Sequence, residues 1–317
     1  MTSTSSRPRR SKGGSTPSYR PRELREQRVS PDKSLGQHFL TDWTAVRRIV
    51  EAASPEDIDA LIEVGPGLGA LTDRLLEVAP HLIAVEMDAT LAARLRERHA
   101  GATNLTVVEA DALTRTPAQL LEAAGFAASA AYGFVSNLPY NAGAAIIRHF
   151  LEAEQPPRWL VVMLQREVAE SICAAPGDLG LLGVSVQVYA RARRLFNVPP
   201  RAFYPPPKVT STVIRLDVLE QPLISREQRD SFFETVRAGF STPRKTVRNS
   251  LANGLNLSGA EAEALLTAAG LDATVRPSIL TVEDWVHLAE VRASQRAEGE
   301  APVSPSPKSD KGQGGEV

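Results

Sequence analysis

The apolar and polar positions along the chain follow two different periods. Short apolar runs have the length of buried strands, and each is followed by a stretch in which apolar residues recur at helical spacing. The strand-like runs lie at residues 60–64, 81–86, 105–108, 132–136 and 159–164, and the helical stretches lie at residues 42–53, 70–79, 89–99, 117–125, 142–153 and within 166–192. This alternation predicts an α/β fold with a mostly parallel, doubly wound sheet.

The pattern changes in the last third of the chain. Residues 195–198 and 209–216 have strand composition, flank a proline-rich loop, and are predicted to pair as an edge hairpin. Beyond Pro222 only helical patterns remain, at residues 226–240, 243–253, 258–269 and 281–293. We therefore expect an α/β domain over residues 31–220 and a small all-α domain over residues 221–293.

The two chain ends differ from everything between them. Residues 1–30 and 294–317 are rich in small, polar and proline residues and poor in large apolar ones, so we expect disorder there. No apolar run approaches the ~20 residues that a membrane span requires. The single cysteine excludes a disulfide framework, and the five histidines lack the spacing of metal ligands. We expect no metal and a cytoplasmic location.

Charge is distributed unevenly on a chain whose formal net charge is −1. Residues 1–33 carry nine Lys or Arg against three acids, residues 191–216 carry six and residues 237–250 carry four, the last two segments without an acid. Such local patches fit a polyanionic partner, although each alone is compatible with ordinary solvated surface.

Three strand ends carry residues that fit a nucleotide-like cofactor. A glycine-rich turn, residues 63–69, ends the first strand and includes Gly65 and Gly67. Glu86 ends the second strand, where a carboxylate can accept hydrogen bonds from a ribose, and Asp111 follows the third, where one can accept from an adenine amino group. Dehydrogenases share the first two features, and either acid alone is compatible with a solvated strand end.

The fourth strand ends in the tetrapeptide Asn137-Leu138-Pro139-Tyr140. An adenine amino group is a poor nucleophile because its lone pair is delocalised into the ring. An asparagine oxygen and a backbone carbonyl that accept its two hydrogens would favour a more tetrahedral nitrogen, while a tyrosine ring stacks on the base. The ordinary alternative is a turn between strand and helix.

These segments together resemble the small-subunit ribosomal RNA adenine dimethyltransferases, relatives of the large-subunit methylases of macrolide resistance. The resemblance runs from about Ser34 to Ala293 and rests on five motifs in the family's order, at residues 34–40, 63–69, 137–140, 198–209 and 244–251. It implies a Rossmann-like methyltransferase domain over residues 31–220, a helical RNA-binding domain over residues 221–293, and S-adenosylmethionine as cofactor.

The resemblance also implies a role for individual residues. Those expected at the cofactor are His38, Leu40, Gly65, Gly67, Glu86, Asp111 and Asn137; those expected at the target adenine are Asn137, Leu138, Pro139, Tyr140 and Phe203. Tyr140 and Phe203 would hold the flipped base between their rings. Many family members have asparagine where His38 stands.

The implied partner is 16S ribosomal RNA within the immature 30S subunit, bound by a monomer that dimethylates N6 of two adjacent adenosines in the 3′-terminal hairpin. Candidate RNA contacts are Arg201, Lys208, Arg244, Lys245 and Arg248. Two alternatives stay open at this point: a methylase of 23S RNA, and a factor that mainly checks subunit assembly without catalysis.

Overall fold

A computed structural model describes residues 38–53 and 55–299. The predictions for residues 1–30, for the motif residues before His38 and for residues 300–317 therefore lie outside the described part of the chain. The described residues form two compact units. The first contains residues up to Cys173 together with Tyr189–Glu220, and the second contains Ala174–Val188 and the residues from Gln221 onward.

The first unit is built on a seven-stranded sheet. Its strands are β2 (Ala60–Val64), β3 (Leu82–Glu86), β4 (Leu105–Glu109), β5 (Tyr132–Asn137), β6 (Trp159–Gln165), β7 (Ala190–Val198) and β9 (Ser211–Val218). They lie in the order β4-β3-β2-β5-β6-β9-β7. The first five are parallel, and β9 pairs antiparallel with both β6 and β7. The predicted α/β class and mostly parallel sheet are confirmed.

Helices connect these strands. They are α1 (Trp43–Ala53), α2 (Thr72–Leu75), α3 (Ala89–Arg98), α4 (Pro117–Ala123), α5 (Gly143–Leu151) and α6 (Arg166–Ile172). Every residue of β2 and β3 is buried, as expected for central parallel strands covered on both faces. The strand order reverses between β2 and β5, and ligands of open α/β sheets bind beyond the carboxyl ends of the strands at such a point.

A second, two-stranded sheet lies at the carboxyl edge of the first. β1 (Phe39–Leu40) pairs antiparallel with β8 (Phe203–Tyr204), in the register Phe39 opposite Tyr204 and Leu40 opposite Phe203. The amide of Thr41 donates a further hydrogen bond of 2.8 Å to the carbonyl of Ala202. The segment before α1 is thereby fixed to the proline-rich loop.

The predicted edge hairpin needs one correction. Its two strands do pair, but the first begins at Ala190 rather than at residue 195, and the second lies inside the sheet between β6 and β7. The run Arg191, Arg193 and Arg194 hid the strand period, because an edge strand can leave charged side chains in solvent.

The second unit is helical. It contains α7 (Leu181–Gln187), α8 (Arg229–Gly239), α9 (Val247–Leu255), α10 (Gly259–Ala268) and α11 (Val282–Gly299). α8 contacts α7, α9 and α11, and buried Trp285 packs against the ring of Phe240 at a centroid distance of 5.1 Å. No helix within the described residues is long and apolar enough to cross a membrane.

Two predicted boundaries change. Residues 174–188, assigned from the sequence to the α/β domain, belong to the helical unit because α7 buries Val184 and Val186 among its helices. The tail predicted to begin at residue 294 is helical as far as Gly299. The last turns of α11 are polar but rich in Ala, Arg and Glu, which favour helix without any apolar period.

Candidate cofactor and acceptor site

A cavity of about 260 Å³ opens at the carboxyl edge of the parallel strands in the first unit. It receives residues from the ends of β2, β3 and β5, from the turn after β4, and from β1. Of the site residues predicted from the sequence, it brings together His38, Leu40, Gly65, Gly67, Glu86, Asp111, Asn137, Leu138, Pro139 and Tyr140.

The glycine turn forms one wall of the cavity. Gly65 and Gly67 have φ of +66° and +57°, which side chains rarely adopt. A Cβ at Gly65 would meet nothing within 4 Å, so the main chain there is open to a ligand. A Cβ at Gly67 would lie 3.2 Å from the Phe39 ring. Gly65 therefore exposes backbone, whereas Gly67 makes room for β1.

Glu86 is held by two backbone amides at the end of β3. Gly67 N–H donates to its Oε2 and Asp88 N–H to its Oε1, each at 3.0 Å. The side chain is buried, and burial raises the pKa of the carboxyl group while these amides oppose the shift. A carboxylate oxygen has two lone pairs, so each can accept another hydrogen bond. The geometry suits a ribose diol.

Asp111 lies at the exposed side of the cavity. Its Oδ1 accepts a hydrogen bond of 2.9 Å from the amide of Leu113 and caps the short 3₁₀ turn Ala112–Thr114. Exposed Met87 and Leu113 line the same part of the cavity. A flat apolar ring with an amino group can pack against these two side chains and donate to the carboxylate.

The acceptor tetrapeptide begins with Asn137, the last residue of β5. Asn137 Nδ2 donates to the His38 carbonyl at 3.2 Å, which leaves the amide oxygen as the acceptor. The carbonyl of Pro139 accepts from the amide of Gly143 at 2.9 Å and helps to start α5. Tyr140 is half-buried, and its hydroxyl lies 2.7 Å from Ser211 Oγ, where burial raises the pKa of the phenol.

His38 contacts both the acceptor turn and the proline-rich loop. Its Nδ1 lies 2.7 Å from the Pro205 carbonyl, and its ring is tilted against Tyr140 at a centroid distance of 5.4 Å. Together with Leu40 it brings the segment before α1 onto the cavity, the position expected from the resemblance.

Glu63 and Phe39 also line the cavity, although neither was assigned a role from the sequence beyond its place in a motif. Buried Glu63 accepts a hydrogen bond of 2.7 Å from the hydroxyl of Thr72 and contributes to the cavity floor. Burial raises the pKa of Glu63 from 4.5 to about 8, the Thr72 bond acting in the opposite direction. Phe39 lies under Gly67. A charged residue within an otherwise apolar strand was the available signal for Glu63.

Phe203 does not line the cavity. Its side chain is 3% exposed and packs in the hydrophobic core with Leu40 and Ala202. The predicted pair of rings around a base is therefore not assembled in this structure, because β8 turns Phe203 inward as it pairs with β1. On the same loop, Arg201 and Lys208 are exposed.

The predicted basic residues of the helical unit lie at the start of α9. Arg244 and Lys245 are exposed in the turn before the helix, and Thr246 caps the helix by accepting from the amide of Asn249. Arg248 is half-buried and pairs with Glu263 of α10 at 3.1 Å. The first two residues are thus more available to a phosphate than the third.

The cavity fits S-adenosylmethionine. Open backbone at Gly65 can receive the methionine part, Glu86 the ribose, and Asp111 with Met87 and Leu113 the adenine, while Asn137 borders the same space. A seven-stranded sheet with an antiparallel strand inserted next to its edge, and this cavity beyond its parallel strands, define an S-adenosylmethionine-dependent methyltransferase of Rossmann-like fold.

Comparison with known proteins identifies the family. The model of the family described as "Ribosomal RNA adenine dimethylase" matches residues 29–294, so the chain belongs to that family. It is 41% identical over 256 residues to the Ribosomal RNA small subunit methyltransferase A of Dehalococcoides mccartyi (strain CBDB1), over 81% of this chain and 86% of the relative. The protein of that name from Phenylobacterium zucineum is 41% identical over 281 residues, 87% of this chain and 92% of the relative.

Solved structures agree with this assignment. The chain is similar to the 23S rRNA methyltransferase ErmE, with 28% identity and a TM-score of 0.62 over 80% of this chain and 98% of that one. A dimethyladenosine transferase from Plasmodium falciparum shares the fold, with 22% identity and a TM-score of 0.68 over 83% and 98% of the two chains.

Proposed function

We propose that this enzyme dimethylates N6 of two adjacent adenosines in the 3′-terminal hairpin of 16S ribosomal RNA, acting as a cytoplasmic monomer on the immature 30S subunit. The observation that carries the proposal is the acceptor turn, where Asn137 borders the cofactor cavity with its amide nitrogen engaged by His38. The 41% identity to proteins named for the small subunit supports the choice of RNA.

The acceptor turn positions the target amino group through two oxygens. The amide oxygen of Asn137 accepts one hydrogen, and the carbonyl of Leu138 accepts the other, since the Pro139 carbonyl is engaged by Gly143. Both bonds draw hydrogen away from the ring plane and direct the nitrogen lone pair toward the cofactor cavity. S-Adenosylmethionine, when bound, supplies an electrophilic methyl group on a sulfonium.

The target base requires a surface on which to stack once it leaves the RNA helix. Tyr140 provides one ring at the cavity, fixed at its far end by the Ser211 hydroxyl. Phe203 provides the second ring if the loop after β7 opens from its pairing with β1. Extraction of a base costs a few kcal/mol, and stacking returns ~1–3 kcal/mol.

A direct test uses purified enzyme, methyl-labelled cofactor and 30S particles that lack these methyl groups. We expect dimethyladenosine at two adjacent positions near the RNA 3′ end. Asn137→Ala should lose about 10²-fold or more in rate at saturating cofactor, and the affinity for S-adenosylhomocysteine is measured alongside to separate lost chemistry from weaker cofactor binding. Label found in 23S RNA, or no transfer despite intact cofactor binding, would refute the proposal.

The same variant separates catalysis from assembly checking. If Asn137→Ala binds immature 30S particles as wild type does and still supports subunit maturation in cells, the assembly role predominates and the proposed catalytic role is secondary. We expect instead that maturation depends on methyl transfer.

A further inference from the structure

Strand β7 carries an unusual charge pattern for a strand of the central sheet. It forms the edge of the sheet next to β9, and it contains Arg191, Arg193 and Arg194 without an acidic residue. All three side chains are exposed. Charged residues on an edge strand discourage pairing with another chain, but a lysine or a single charge achieves this equally well. Three arginines on one edge strand are more typical of a surface that binds an anionic ligand, because guanidinium groups suit phosphate recognition.

The register of β7 places two of these arginines on one face. Arg191 lies opposite Asp217, and Arg193 opposite Arg215. Residues directly opposite each other on paired strands project to the same side of the sheet. Arg215 donates to the carbonyl of Ala52 at the end of α1 at 2.6 Å, so this is the face that α1 covers.

The same face continues toward the other end of β7. A bulge between Arg194 and Phe196 shifts the register, so that Phe196 lies opposite Val213 on the α1 side. The guanidinium of Arg48, an exposed residue of α1, lies 3.7 Å from the centroid of the Phe196 ring. Stacking of this kind holds the guanidinium flat and leaves its N–H edge available for a bidentate acceptor. Arg194 projects to the opposite face and pairs with Glu170.

Among the residues that the structure describes, the two acids paired on this surface, Asp217 and Glu51, carry less charge than the arginines around them. Asp217 lies 3.3 Å from Arg193 and 2.7 Å from Arg215, so one carboxylate serves two guanidinium groups. Glu51 of α1 pairs with Arg47 at 3.5 Å. Arg48, Arg191 and Arg193, which we call the β7 ridge, consequently present excess positive charge to solvent.

The ridge leads to the acceptor site. From Arg191 to Phe196 the strand advances about 16 Å, and it ends at Val198 opposite Ser211. The hydroxyl of that serine lies 2.7 Å from the hydroxyl of Tyr140. A strand of nucleic acid whose base enters the cavity beside Tyr140 can therefore extend its backbone along β7.

We propose that the β7 ridge binds the phosphodiester backbone of the substrate RNA several nucleotides away from the target adenosine. The proposal rests on the proposed function, because it takes ribosomal RNA as the polyanion. A planar guanidinium group can donate two parallel hydrogen bonds to two oxygens of the same phosphate. Contacts between the ridge and the RNA backbone thus increase the affinity for RNA and fix its position on the protein, whereas the base is recognised in the cavity.

The test compares two double variants that remove the same charge from opposite edges of the sheet. Arg191→Gln/Arg193→Gln alters the ridge. Arg94→Gln/Arg96→Gln is the matched control on α3, where Arg94 is exposed and Arg96 pairs with Glu109 at 3.4 Å, much as Arg193 pairs with Asp217. Binding of a labelled RNA hairpin with the 3′-terminal small-subunit sequence is measured against salt concentration.

The ridge variant should bind the hairpin at least about fivefold more weakly, and its plot of log K against log salt should flatten by about 1.4–1.8, the value for two lost phosphate contacts. Its KM for RNA should rise with unchanged kcat, and cofactor binding should match wild type. If the two double variants bind the hairpin with equal affinity, or if the salt slope of the ridge variant is unchanged, the proposal that the β7 ridge binds RNA is wrong. A different result would contradict the proposed function. In that case the wild-type enzyme would bind the hairpin but transfer no methyl group to 30S particles.

Discussion

Glu63 shows how a charged residue can be tolerated within a buried strand. It is 1% exposed, its partner is the Thr72 hydroxyl, and burial raises the pKa of its carboxyl group to about 8. The folded protein therefore holds a proton on Glu63 at pH values where the unfolded chain has released it. The contribution of Glu63 to the free energy of unfolding therefore falls as pH rises from 4.5 to about 8, so the protein becomes less stable over that range.

The variant Glu63→Gln tests this dependence. Glutamine keeps an oxygen for Thr72 and cannot ionise, so we expect the variant to match wild type near pH 5 and to exceed its stability near pH 9, by on the order of 3–5 kcal/mol. Urea unfolding of the cofactor-free protein at both pH values measures the difference. Glu97→Gln, at an exposed position of α3, keeps Glu63 and should lose stability between the two pH values as wild type does; an equal loss in Glu63→Gln would contradict the assignment.

Phe203 has a core position in the structure and a proposed role at the target base, and a single substitution can separate the two. It is buried in the core here, yet the family pattern assigns it to the target base. Phe203→Leu preserves most of the apolar volume and should cost less than ~1.5 kcal/mol of stability. Loss of a stacking ring should lower kcat/KM for RNA by about tenfold or more. Phe150→Leu, at a buried position of α5, provides the control; equal activity of the two folded variants would leave Phe203 a core residue only.

At the scale of elements, the sequence predicted the parallel strands well and the exposed ones poorly. β2, β3 and β5 are buried on both faces and therefore appear as short apolar runs. β7 was predicted five residues too short because its arginines face solvent. The helix predicted over residues 70–79 is regular only at Thr72–Leu75, followed by turns.

The cavity residues divide in the same way. Gly65, Glu86, Asp111 and Asn137 lie at or just after strand ends, so their positions in the sequence alone determine that they meet at one edge of the sheet. The contact between Phe39 and Gly67, and the inward position of Phe203, depend on pairing between residues more than 160 positions apart, which no local pattern reveals.

Exposed Arg244 and Lys245, at the start of α9, are the proposed phosphate contacts of the helical unit. Arg244→Gln/Lys245→Gln should reduce the salt slope of 30S binding by about 1.4–1.8. Arg248→Gln should have a smaller effect because Glu263 already engages that side chain. Glu263→Gln, which releases Arg248, should strengthen binding at low salt. An unchanged slope in the double variant would remove α9 from the RNA-binding surface.

On the scale of the whole molecule, the two units are interleaved along the chain. Residues 174–188 leave the α/β unit after α6, join the helical unit through α7, and return at Tyr189 to begin β7. The carbonyl of Val188 also accepts a hydrogen bond from the amide of Leu223. Removal of the helical unit at residue 220 would consequently leave buried Leu179, Val184 and Val186 without their partners.

A chain truncated after Glu220 tests this interleaving. We expect it to bind a hydrophobic dye and to melt at a lower temperature than the full chain. Replacement of residues 174–188 in the truncated chain by a short Gly-Ser linker should restore cooperative melting, because the orphaned apolar surface is then absent. Cooperative melting of the simple truncation at the full-length temperature would show that α7 is dispensable to the α/β unit.

Phe39 connects the glycine turn of the cavity to the proline-rich loop. Its ring limits the size of residue 67 in the glycine turn, and its backbone pairs with that of Tyr204 in the proline-rich loop. A displacement of Phe39 would therefore reach both the glycine turn and the proline-rich loop. A residue larger than glycine at position 67 would displace the Phe39 ring. Because Phe39 pairs with Tyr204, that displacement would also move the proline-rich loop, so a change at the cofactor side of the cavity would alter the acceptor side as well.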